Sequence, residues 1–72
     1  MINLIITEDG SKFCLNEKGE YHCDIGPAIE LSDRSRFWYI NGLVHREDGP
    51  AVIVELDGNC IQEWWIEGKL IR

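Results

Sequence analysis

A chain of 72 residues with 44% apolar and 10% aromatic content is too rich in core-forming side chains for disorder and too short for more than one domain, so residues 1–72 are read as a single unit. Thirteen acidic against seven basic residues leave a net charge of −6. Lys12, Lys18, Arg34, Arg36, Arg46, Lys69 and Arg72 are dispersed along the chain, which argues against a basic footprint for direct nucleic-acid or membrane binding.

In chain order, Ile2 to Thr7 is an apolar strand candidate, and Asp9-Gly10 is a hairpin signal that returns the chain along Lys12 to Asn16. Lys18-Gly19 makes the next turn, Glu20 to His22 a short strand, and Asp24-Ile25-Gly26-Pro27 a bend into Ala28 to Leu31. Ser32 to Ser35 is a polar turn, and Arg36 to Ile40 comes back to Asn41-Gly42. That pair is the strongest local signal in the chain, because both central residues of a type I′ turn need positive φ. Leu43 to His45 follows. At Asp48-Gly49-Pro50 a second bend is expected, with Gly49 able to take an unusual φ and Pro50 fixing its own. Val52 to Leu56, the Asp57-Gly58 turn, Cys60 to Ile66, the Glu67-Gly68 turn and Lys69 to Arg72 complete the chain. No window carries a helical period over ten or more residues, so the reading is all-β, an antiparallel meander of successive hairpins.

The elements repeat. His22-Cys23-Asp24-Ile25-Gly26-Pro27-Ala28 aligns with His45-Arg46-Glu47-Asp48-Gly49-Pro50-Ala51 at an offset of 23, and Trp38-Tyr39-Ile40-Asn41-Gly42 with Trp64-Trp65-Ile66-Glu67-Gly68 at 26. Phe13 to His22 is a degenerate first copy. About two and a half units are present. Residues 38 to 51, Trp-Tyr-Ile-Asn-Gly-Leu-Val-His-Arg-Glu-Asp-Gly-Pro-Ala, resemble the bacterial and viral variants of the MORN repeat. The likeness weakens before residue 22, where Trp is absent and Cys23 stands in place of Arg. It implies hairpins stacked into an elongated twisted sheet and an interaction or scaffold role, and it carries no mechanism.

Alternation along Trp38-Tyr39 and Trp64-Trp65 places an aromatic on each face of the sheet. Trp38, Tyr39, Trp64, Trp65 and Ile5 are the candidate binding residues, the open aromatic side chains acting as anchors for a protein partner. His22 and His45 are expected to bond a backbone carbonyl or the Asp beside the Gly-Pro bend, and Arg46 to pair with Glu47 and Asp48 within the turn. Cys14, Cys23 and Cys60 are odd in number and lack a Cys-x-x-Cys spacing, so reduced thiols are expected, with no metal and no cofactor.

No nucleophile, His and Asp arrangement is marked locally, so catalysis is not expected. The favoured function is a small acidic protein-interaction module. The alternatives are a viral or mobile-element stoichiometric inhibitor of a host factor, its carboxylates mimicking nucleic acid, and a membrane- or phosphoinositide-binding repeat. With no run approaching the roughly 18 apolar residues of a membrane span and no signal-peptide pattern at Met1 to Ile6, the expected location is cytoplasmic. Unpaired edges expected at the apolar N-terminal strand and at Lys69 to Arg72 point to a homodimer.

Overall fold

The computed structural model describes residues 3–72; of the expected first strand, Ile2 lies outside them. Every element among the described residues is a strand. Six of them form one antiparallel sheet in the order β1 (Asn3–Ile6), β2 (Lys12–Leu15), β3 (Ile29–Glu30), β4 (Arg36–Phe37), β7 (Val52–Leu56) and β8 (Asn59–Glu63). Two further hairpins pair separately, β5 (Tyr39–Ile40) with β6 (Leu43–Val44) and β9 (Trp65–Ile66) with β10 (Lys69–Leu70).

The expected strands Arg36 to Ile40 and Cys60 to Ile66 are each interrupted at one residue, Trp38 and Trp64. The cause lies in their backbone groups. Trp38 N–H donates to Ala51 O at 2.8 Å, toward the main sheet, while its carbonyl accepts from His45 N–H at 3.0 Å, on the returning arm of its own hairpin. Trp64 is bonded on the donor side to Arg72 O at 2.8 Å and on the acceptor side to Ile71 N–H at 2.7 Å. Cys14 does the same in the first repeat, donating to Ala28 O at 2.7 Å and accepting from His22 N–H at 3.0 Å. Trp38 is therefore a pivot, with its donor on the main-sheet side and its acceptor on its own side hairpin; Cys14 shares that split although β2 runs on to Leu15, and Trp64, at the matching position, has both groups on the returning arm of the last hairpin. Glu20 to His22 is reduced to a single bridge, Tyr21 against Leu15, because the pivot ends the ladder there.

Main-chain bonds tie each side hairpin to the next. Gly42 N–H reaches Tyr21 O at 2.9 Å and Gly68 N–H reaches Val44 O at 2.8 Å. Because the last hairpin stands off the main sheet, that sheet ends at β8. This corrects the expectation that Lys69 to Arg72 would form its far edge; the near edge is β1, as expected.

Three turns have the positive-φ pair that type I′ geometry demands: Asn41 and Gly42 at 49° and 83°, Asp57 and Gly58 at 50° and 79°, Glu67 and Gly68 at 49° and 79°. Gly49 departs from its expectation. It is absent from the positive-φ residues, and its constraint is spatial, since a Cβ there would lie 2.9 Å from Arg46 Cζ. At the matching Gly26 the neighbouring residue is the short Cys23, and the same Cβ would meet nothing within 4 Å.

The resulting body is a slab of 34 × 30 × 15 Å. Among the described residues the buried apolar side chains are small or few, Cys14, Ala28, Ala51 and Ile53, and no large one is fully enclosed. Gly49→Ala should therefore cost about 1–2 kcal/mol by displacing the Arg46 guanidinium, while Gly26→Ala should be neutral or stabilise by about 0.5 kcal/mol. Urea unfolding of the two variants separates these outcomes, and equal effects would contradict the spatial account.

Candidate interaction face

Side chains of directly paired residues point to the same side of a sheet. The register Ile5 to Phe13, Phe13 to Ile29, Ile29 to Phe37 and Phe37 to Val52 thus lays one apolar row across five strands. Glu63 opposite Val52 ends it, and Val54 opposite Ile61 adds a second pair on the same side. An aromatic chain continues from this row, with ring centroids of Phe13 and Tyr21 6.3 Å apart and those of Tyr21 and Tyr39 5.3 Å apart. Trp65 joins through its indole N–H, which donates to Glu63 Oε1 at 3.0 Å. No residue of the row is fully buried, and Ile5 is 47% exposed. This face has no layer over it.

The opposite face is mixed, its charges opposed in register. Ile6, Lys12, Glu30, Arg36, Ile53 and Gln62 follow one another there, and Leu4 lies opposite Cys14 on the same side. Trp38 lies on this side with Arg46 stacked at 4.0 Å and Arg36 at 5.9 Å from its ring centroid, and Arg72 lies 4.6 Å from that of Trp64. Of the five expected binding residues, the structure brings Ile5, Tyr39 and Trp65 to the open face. Trp38 and Trp64 belong to the other, stacked by arginines, as the alternation of adjacent strand residues requires. Phe13, Ile29, Phe37, Val52 and Tyr21 were missed, although their alternation with polar or small neighbours was readable once the register was known.

Two devices hold the turns beneath these faces. Each His side chain bridges successive repeats. His22 Nδ1 accepts Asn41 N–H at 2.9 Å and its Nε2 meets Asp24 at 3.0 Å; His45 Nδ1 accepts Glu67 N–H at 2.9 Å and its Nε2 meets Glu47 at 3.2 Å. The Asp24 partner of His22 was anticipated, but His45 meets Glu47 and not the Asp48 beside its bend, which Arg46 takes; in both, the ring receives a backbone donor instead of donating to a carbonyl. These partners select the tautomer with the proton on Nε2. Arg46 pairs with Asp48 at 2.9 Å as expected, and also donates to Pro50 O at 3.1 Å. In the connecting turns, Asp9 Oδ1 accepts Ser11 N–H at 3.0 Å and Asp33 Oδ1 accepts Ser35 N–H at 2.9 Å. The Thr7 hydroxyl and Ser11 N–H hold the Asp9 carboxyl at about 2, below its ordinary 3.8. Ser35 lowers Asp33 in the same way, and Arg46 lowers Asp48.

An open groove of about 520 Å³ lies between the two Gly-Pro bends, with Cys23, His45 and Glu47 among its walls. Both ring nitrogens of His45 are engaged, so neither is placed to take a proton from Cys23. Among the described residues no group of three or more His, Cys, Asp or Glu side chains is arranged to hold a metal ion, and no helix is long and apolar enough to cross a membrane. Comparison with protein-family models, curated proteins and solved structures returned no match.

His45→Ala should cost about 1–2 kcal/mol in thermal unfolding, because Glu67 N–H loses its acceptor at a turn with positive φ; an unchanged midpoint would contradict the bridging role. The Asp9 contribution has a defined pH window. A carboxyl lowered in the folded state stabilises above its unfolded value near 3.8 and loses that contribution as pH falls to about 2. Melting scans of Asp9→Asn should therefore converge with the parent chain at the acid end of this window and fall below it at neutral pH.

Proposed function

We propose that the protein is a small interaction module acting by surface contact, without catalysis. The observation that supports this most is the uncovered row of Ile5, Phe13, Ile29, Phe37 and Val52, flanked by Tyr21, Tyr39 and Trp65, on a slab only 15 Å thick. Aromatic side chains with one wet edge are the usual anchors of protein contacts. A folded monomer of 8.3 kDa exposes roughly 4,600 Å², and this chain exposes 5066 Å², so it carries more surface than its mass requires. The likeness of residues 38 to 51 to MORN units points the same way.

The partner we place on this face is a second copy of the chain. Two such sheets packed face to face make a sandwich with a core about 10 Å thick, which supplies the large buried side chains one copy lacks. The inhibitor reading by nucleic-acid mimicry is weaker. Asp9, Asp24, Asp33, Glu47, Asp48 and Glu63 are each bonded within the chain's own turns and arms, which accounts for them without a phosphate-like stripe. The membrane reading is weaker too, since Lys12 and Arg36 face Glu30 in register.

Light scattering at micromolar concentration should give twice the chain mass, with a melting temperature that rises with protein concentration. Ile5→Lys and Trp65→Glu should lower the mass to that of one chain. A single-chain mass with concentration-independent melting overturns the homodimer, and association by any partner that both variants leave untouched overturns the use of this face.

A further inference from the structure

In the second and third repeats the pivot tryptophan carries an arginine on its ring, Arg46 over Trp38 and Arg72 over Trp64. The first repeat has the same backbone and different chemistry. Cys14 makes the pivot bonds, to Ala28 O and from His22 N–H, that Trp38 makes to Ala51 O and from His45 N–H. Cys23 follows His22 as Arg46 follows His45. Both members of the stacked pair have thus been replaced together, each by cysteine. The arrangement that lays Arg46 on Trp38 directs Cys23 toward Cys14.

Accessibility divides the labour between these thiols. Cys14 is buried at 7% exposure, while Cys23 is half-exposed and lines the groove. The backbone of Cys23 is held by a bond from its N–H to Tyr39 O at 3.2 Å. Open space above Gly26 leaves the volume that Arg46 occupies over Gly49 unfilled. Burial and the adjacent Cys23 thiol push Cys14 up to about 11, which suits a resolving thiol that stays protonated until its partner has reacted.

We propose that Cys14 and Cys23 form a thiol–disulfide exchange site for a small-molecule disulfide such as glutathione disulfide. The Cys23 thiolate attacks one sulfur of the oxidant, forming a mixed disulfide and expelling one glutathione thiolate. Cys14 then loses its proton and attacks Cys23 Sγ, closing the intrachain disulfide and expelling the second glutathione. Two protein thiols are oxidised, the incoming disulfide is reduced to two thiols, and the two protein thiol protons end on the leaving groups. The covalent link takes the place that the cation–π stack holds in the other repeats, joining β2 to the arm after Tyr21. Cys60, exposed on the outer strand β8, has no such neighbour in the topology.

The test incubates the full-length Cys60→Ser chain with glutathione disulfide and follows intact mass, peptide maps and melting. The expected product is lighter by the two thiol hydrogens, maps to a Cys14–Cys23 link, and melts higher by on the order of 10 °C. Adding Cys14→Ser should trap glutathione on Cys23. Cys14→Val, which keeps the pivot apolar, guards against a trap caused only by unfolding and should give the same adduct. Persistent glutathione on Cys23 with Cys14 intact, absence of reaction at Cys23, or a link that lowers the melting temperature each overturns the proposal.

Discussion

One backbone constraint shapes this molecule: in the first two repeats the N–H and C=O of a single residue are committed to different segments of the chain. Cys14 and Trp38 hold that position, with the donor turned toward the main sheet and the acceptor to the returning arm of the hairpin, while Trp64, at the matching position, has both groups on the returning arm. At Trp38 and Trp64 the main-sheet strand ends and a side hairpin begins. Main-chain bonds then join each side hairpin to the one before it.

The same bonding bears on how so thin a body is held together. With Ala28 and Ala51 buried beside the pivots and no large side chain enclosed, apolar burial within one copy is modest, and much of the order is carried by polar contacts with definite geometry. His22 and His45 receive the first N–H of the following type I′ turn, so each turn is held by the repeat before it. Asp9 and Asp33 close the connecting turns by accepting N–H bonds two residues on. Much of the chain's negative charge thus resides in groups with local structural duties, which favours a reading in which acidity serves turns and solubility.

The proposed function rests on the inequality of the two faces. One has its tryptophans covered by arginines and its charges opposed in register; the other presents Ile5, Phe13, Ile29, Phe37 and Val52 with aromatic neighbours and no cover. A protein contact on the open face would complete a core that the chain's own length does not provide. The first repeat departs from the other two most plainly in its side chains, where two cysteines stand for a stacked Trp and Arg.

The sequence by itself determined the all-β class, the type I′ turn at Asn41-Gly42, the existence of turns at Asp57-Gly58 and Glu67-Gly68, and the repeat, because these rest on local backbone preferences that neighbouring residues decide. It also placed Arg46 in an ion pair within its own turn, a contact two residues in span. Tertiary structure alone decided which face each aromatic occupies, since a one-residue change of register or a pivot inverts every side chain beyond it. That Trp38 and Tyr39 face opposite sides was legible from alternation; which of them meets the open side was not. It likewise decided that Gly49 is needed for space and not for φ, that His45 serves a turn 22 residues away, and that Cys14 lies beside Cys23, because each depends on partners that only the folded chain brings together.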